Sequence, residues 1–273
     1  MFTKSSRRIL CFFLTILMVV GICLFLATTI VRATLCSPVY MEKFLSSSKI
    51  AAYNDDAFKQ KISLLSENSG IPVRVFEASD NVGGYSETVV ERFYNGNDTT
   101  MLTKNKITVY ENLIIEFLEG NNEAYDSAFV HNTAIKAAEI YAECYGVKNT
   151  EFFKEFIDNT VSSYGKLVSL GLVIVLISFL LILSLFDNKK KSYRYYLSAF
   201  TAAGLSFVFT GAICLILGIG KGAVITPSVY SDAIFKSINV MFLIHIAVGL
   251  VVVVFSTIAA LKSNKLIKHH SKF

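Results

Sequence analysis

This chain is short of charge. Asp, Glu, Lys and Arg make up 17% of its 273 residues, against roughly a quarter in an ordinary soluble protein. They are missing altogether from four runs, residues 9–31, 167–186, 197–220 and 238–261, of 23, 20, 24 and 24 residues. That absence excludes the reading that length alone suggests, two soluble domains of ~150 residues each. A bilayer core of ~30 Å is crossed by about 20 helical residues, which each run supplies. Apolar residues reach 53% and mean hydropathy +0.52, and the four runs account for the excess. The first run also follows a basic start, as a secretory signal would. Its 23 residues exceed the ~7–15 of a signal core, which favours an uncleaved anchor.

The motifs of catalysis are absent too. The chain has no HExxH, GxSxG, CxxC or GxxxxGK[ST], the local patterns that carry zinc hydrolysis, serine nucleophiles, dithiol chemistry and phosphate cradling. The stretch Gly218-Ile219-Gly220-Lys221-Gly222 resembles a phosphate loop in composition only. His131, Glu139 and Glu143 share one stretch, but no second His completes a metal set, so a solvated helix face is the expectation. No basic and aromatic stripe argues for nucleic acid. The reading is therefore no catalytic residue, no metal and no cofactor.

What is present sorts by side. Eleven Lys and Arg (Lys4, Arg7, Arg8; Lys189, Lys190, Lys191, Arg194; Lys262, Lys265, Lys268, Lys272) flank the runs against one acid, Asp187, while residues 32–165 carry 12 Lys and Arg against 19 Asp and Glu. Short basic segments stay cytoplasmic. The expected arrangement is a multi-pass plasma-membrane protein: cytoplasmic residues 1–8, spans at 9–31, 167–186, 197–220 and 238–261, an extracytoplasmic domain at 32–165, a cytoplasmic loop at 187–196, an outer loop at 221–237 and a cytoplasmic tail at 262–273. The basic ends read as anchors to anionic headgroups. Tyr164, Tyr193, Tyr195, Tyr196, Tyr230 and Phe235 fall near the ends of the spans, where aromatic belts form.

The outer segment has helical periodicity. Ser37-Pro38 reads as a cap and first turn of a helix through Lys49. Asn54 or Asp55 is the expected cap of a second helix, with Phe58, Ile62 and Leu65 on one face and Gly70 at its end. A third is expected from Ser86 to Phe93. Tyr110, Leu113, Ile114, Phe117 and Leu118 form an apolar stripe closed by Gly120. A longer helix from Glu123 to Tyr145 would turn Phe129, Ala137, Ile140, Tyr141 and Cys144 inward and stop at Gly146. Pro72-Val73-Arg74-Val75 is compatible with a short strand, Gly83-Gly84 with a turn, and Asn97-Asp98-Thr99 with a glycosylation sequon. From Glu151 the helical pattern reaches the second span without a proline, so residues 151–187 form either one helix or two broken at Gly165.

Cys36 and Cys144 are the two cysteines outside the runs, on the oxidising side, and are candidates for a disulfide. His245 is the ionisable residue inside the fourth run; neutral, it would hydrogen-bond Thr201, Ser206, Thr210 or Ser178 on a neighbouring span. Gly204, Gly211 and Gly218 repeat every seven residues in the third run and Gly171 and Ser178 in the second, the spacing of small residues that lets helices approach in lipid. The ten-residue link between these two spans predicts that they pair as a hairpin within a four-helix bundle. The fold class is thus an all-α membrane protein with four transmembrane helices and a mainly helical extracytoplasmic domain between the first and second.

The stretch Cys36-Ser37-Pro38-Val39-Tyr40-Met41-Glu42-Lys43-Phe44-Leu45, followed by Ser69-Gly70-Ile71-Pro72, resembles a family of four-span membrane proteins of Gram-positive bacteria that carries no assigned activity. The resemblance implies topology and a bacterial plasma membrane. The topology is also similar to permease subunits of mechanotransmitting ABC systems, from which this chain departs in its helical outer segment and short N-terminal segment. The function expected is that of a non-enzymatic membrane protein whose outer domain binds an envelope partner or ligand, with a transporter subunit served by a cytoplasmic ATPase as the alternative.

Overall fold

The computed structural model describes residues 4–78, 90, 93–94, 99–186, 189–221 and 225–270, without the side chains of residues 4, 99–102, 105, 189–190 and 263–270. Among the described residues the regular elements are helices: α1 Lys4–Ala33, α2 Pro38–Leu45, α3 Ser48–Ser69, α4 Val73–Glu77, α5 Thr99–Gly120, α6 Ser127–Tyr145, α7 Glu151–Ser184, α8 Lys189–Leu217 and α9 Ser228–His270. Four are long and apolar enough to cross a membrane, over Ser5–Ala33, Glu151–Ser184, Lys191–Leu217 and Ser228–Lys262. The chain divides into two compact units. The first holds Met1–Ser37, Asp158–Gly220 and Ser237–Phe273; the second holds Pro38–Ile157 and Lys221–Lys236.

In the first unit, α1 buries Cys11, Leu14, Met18 and Ile22 along one seam, and Leu14, Met18 and Ile22 meet Tyr196, Ala199 and Ala203 of α8 and Ile182 of α7. The closest approaches are made by glycine. A Cβ at Gly21 of α1 would stand 2.9 Å from the Gly171 carbonyl oxygen of α7, and one at Gly204 of α8 would stand 2.8 Å from that of Gly249 in α9. Gly211 lies equally close to Ile246 and Phe242. Without a hydrophobic drive between helices in lipid, such backbone contact supplies dispersion that larger residues would prevent. A hydroxyl pair adds to it, Thr201 Oγ1 to Ser256 Oγ at 2.8 Å.

Gly171 thus faces Gly21, Gly204 faces Gly249, and Gly211 faces Ile246 and Phe242, partners that the seven-residue spacing does not name. The α7–α8 hairpin meets instead through Tyr196, whose hydroxyl donates to the Phe179 carbonyl at 3.0 Å and whose ring stacks on Phe179 at 4.4 Å. Ser178 is buried. Gly218, itself buried, follows the end of α8 with φ 61°, its N–H bonding Leu215 O while that of Ile219 bonds Cys214 O. That pair of bonds is a Schellman C-cap, which needs a left-handed residue.

The second unit is held by aromatic and alanine packing. Phe58, Ile62 and Leu65 of α3, Phe76 of α4, Tyr110, Ile114 and Leu118 of α5, and Ala134, Ala137, Ala138 and Tyr141 of α6 form one core. The alanine face of α6 lets α3 and α5 close on it. Asp126 caps α6 by accepting from Ala128 N–H at 3.1 Å, so this helix starts at Ser127 rather than at the expected Glu123 and leaves Phe129 exposed. Gly146 ends it in an extended conformation, whereas Gly70 ends α3 at φ 71°. Pro72 precedes a helical turn, α4, not a strand, and α2 stops at Leu45. Most of the helix expected from Ser86, the Gly83-Gly84 turn and the Asn97 sequon lie outside the described residues.

A further expectation is corrected. Asn54 caps nothing: α3 begins upstream at Ser48, and Asn54, fully buried, donates from Nδ2 to the Tyr230 hydroxyl at 2.8 Å. Tyr230, near the start of the helix long and apolar enough to cross a membrane over Ser228–Lys262, is also fully buried in the second unit. At the other junction α7 is unbroken through Gly165, where a Cβ would meet nothing within 4 Å.

Candidate functional site

The segment after α8 does not behave as a simple loop. Lys148 and Thr226 exchange backbone bonds, N–H to O at 2.8 and 3.3 Å, in an isolated antiparallel bridge. Ile225 N–H donates to Ser231 Oγ and the Ser231 hydroxyl donates back to the Ile225 carbonyl, both at 2.8 Å. With the Asn54–Tyr230 bond, these contacts fasten 225–231 to α3 and to the end of α6.

Between them lies a cleft of about 290 Å³, lined by Tyr53, Ala57 and Lys61 of α3, Glu143 and Cys144 of α6, Gly146 and Lys148 beyond it, and Thr226, Pro227 and Ser228 at the start of α9. Ligand sites are commonly concave and of this order of volume, with a few convergent polar groups. Here Lys61 Nζ stands 2.6 Å from Glu143 Oε1, both side chains partly open to solvent. The hydrogen bond from Lys61, and the charges of Lys61 and Lys148, hold the Glu143 carboxyl below its ordinary value. Two cations and one carboxylate leave the rim with a net positive charge. Burial pushes the Cys144 thiol up, which keeps it protonated and a poor nucleophile. The neighbouring Tyr145 donates its hydroxyl to Asp55 Oδ1 at 2.9 Å, and its ring packs on Phe58 and Tyr141.

The disulfide proposed between Cys36 and Cys144 is not formed; all five cysteines are free. Each of the two is buried in its own unit, Cys36 beside Thr160 with a hydrogen bond to it and Cys144 in the α6 core. His131 pairs with Glu111 of α5 and Glu143 with Lys61, so the carboxylates near His131 do not gather around it. Among the described residues no three His, Cys, Asp or Glu side chains form a metal-binding group.

His245 is buried in α9, but its partner is not a hydroxyl on a neighbouring helix. Its Nδ1–H donates to the Met241 carbonyl of its own helix at 2.9 Å. The ring stacks on Phe207 of α8 at 5.4 Å and 15°. The geometry is that of an imidazole bonded through Nδ1 within its own helical turn and packed on an aromatic ring. The cleft itself was missed from sequence because Tyr53, Glu143 and Thr226 belong to three distant segments; the net charge of residues 32–165 even points the opposite way. No protein family, curated protein or solved structure matches this chain.

Proposed function

We propose that the chain is a non-enzymatic, multi-pass plasma-membrane protein with cytoplasmic termini, whose second unit faces outward and binds an envelope protein or ligand through the cleft. The observation that carries this reading is the cleft's construction: three separate segments converge on a solvent-open hollow whose rim holds the Lys61–Glu143 pair and Lys148. The joining of residues 38–157 with 221–236 in one unit supports the topology, since four successive crossings put the first and third connections on the same side. The distribution of Lys and Arg supports the orientation, and the resemblance supports a bacterial membrane.

The second reading, a permease-like subunit working with a cytoplasmic ATPase, is favoured by α7, a single helix over Glu151–Ser184 that can transmit motion of its outer end. Crosslinking mass spectrometry on native membranes separates the two. The binding reading predicts crosslinks from Lys61 and Lys148 to envelope proteins, lost in a Lys61→Glu/Lys148→Glu variant. Crosslinks from residues 189–194 to an ATPase, with none from the cleft, would replace it with the transporter reading.

A further inference from the structure

The buried seam of α1 does not end in an apolar residue. Cys11, Leu14, Met18 and Ile22 are buried at spacings of one helical turn, and one turn before Cys11 the same side carries Arg7. Arg7 is half-buried where its neighbour Arg8 is exposed. Its guanidinium lies over the Phe186 ring, 6.0 Å from the centroid, and Phe186 stacks in turn on Tyr195 of α8 at 5.5 Å. The Arg7 Nε is shielded from solvent and has no hydrogen-bond partner among the described residues.

The surroundings add cations. Because Arg7 lies over Phe186 and Phe186 stacks on Tyr195, the beginnings of α1 and α8 lie at one end of the bundle. Neither first turn holds an acid. Lys191 stands one turn before Tyr195 on the same side of α8, and Arg194 adjoins it; both are exposed. Asp187 is the one acid among residues 1–8 and 187–196, against seven Lys and Arg. A half-buried guanidinium with exposed cations beside it and an aromatic floor, at the end of apolar helices where a bilayer's headgroups would lie, matches a phosphate diester joined to acyl chains.

We propose that this end of the α1–α8 seam is a binding site for an anionic phospholipid, in which Arg7 holds the headgroup phosphate and Lys191 and Arg194 flank it. The site belongs to the first unit and stands whatever the cleft binds. It differs from general basic anchoring in depending on position and not on charge number. The test is native mass spectrometry of the full-length protein from mixed phosphatidylcholine–phosphatidylglycerol nanodiscs. Phosphatidylglycerol is expected to be retained over phosphatidylcholine, and Arg7→Gln to lower that retention about tenfold. Arg8→Gln, which removes the same charge from an exposed position, is expected to change it by no more than about twofold. Lys191→Gln/Arg194→Gln, at exposed positions, is expected to lower retention by roughly fivefold or more, against no more than about twofold for Arg8→Gln/Lys262→Gln, which removes as many charges from exposed positions elsewhere, and this comparison gives the answer if Arg7→Gln disturbs folding. Equal losses in Arg7→Gln and Arg8→Gln, no preference for phosphatidylglycerol, or its displacement by inorganic phosphate alone would overturn the proposal.

Discussion

The two units are both helical and are held together by opposite means. In the second, large side chains go in: Phe58, Phe76 and Tyr110 are among its largest fully buried residues, packed against the alanines of α6. In the first, large side chains go out: Phe12, Phe209, Ile216 and Phe255 are all more than 60% exposed, while glycine pairs fill the closest crossings. Water explains the first pattern and its absence explains the second. Burying an aromatic against water contributes a few kcal/mol, whereas between lipid and protein an apolar side chain gains little from moving inward, so close backbone packing decides.

The comparison breaks most visibly at phenylalanine. Phe58→Ala is expected to destabilise the second unit by about 3–5 kcal/mol, measured by denaturant unfolding in detergent, because it empties the space against the Tyr141 and Tyr145 rings. Gly204→Val should cost about 1–3 kcal/mol and act on the first unit, since its Cβ would meet both the Gly249 carbonyl and Val253 at 2.8 Å. A stability loss confined to the second unit would contradict the glycine account. The Lys61–Glu143 pair contributes less, within about 1 kcal/mol for an exposed pair. Its sign is fixed: the Glu143 carboxyl is lowered on folding, so the contribution is complete above the ordinary value of 4.5 and is lost as pH falls through the lower folded value. A Glu143→Gln variant should therefore differ from the parent in thermal stability at neutral pH and converge with it in acid. The smallest effect belongs to Phe255→Ala, expected within about 0.5 kcal/mol although it deletes the same ring as Phe58→Ala.

What could be read from sequence follows the range of the interactions. The four long helices were legible because charge is excluded from each run, and the α5 stripe because Tyr110, Ile114 and Leu118 recur at helical spacing. The continuity of α7 left two readings open, since Gly165 weakens a helix without breaking it and nothing local selects between them. Asn54 was misread as a cap because a polar residue before an apolar stripe satisfies the local rule; its true partner, Tyr230, is 176 residues away. Gly21 and Gly249 escaped notice because each is a single glycine with no repeat, although each completes a crossing. The cleft was illegible for the same reason as the Asn54 contact: only the folded second unit brings residues 53, 143 and 226 together.

The central claim is that residues 38–157 and 221–236 form one unit on one side of a four-span chain. Single-cysteine labelling with a membrane-impermeant maleimide in intact cells, in a background where the native cysteines are replaced by alanine, tests it directly. Lys148→Cys and Asp232→Cys are expected to label from outside, and Arg194→Cys only after permeabilisation. Labelling of positions 148 and 232 from opposite sides, or of position 194 in intact cells, would contradict the account.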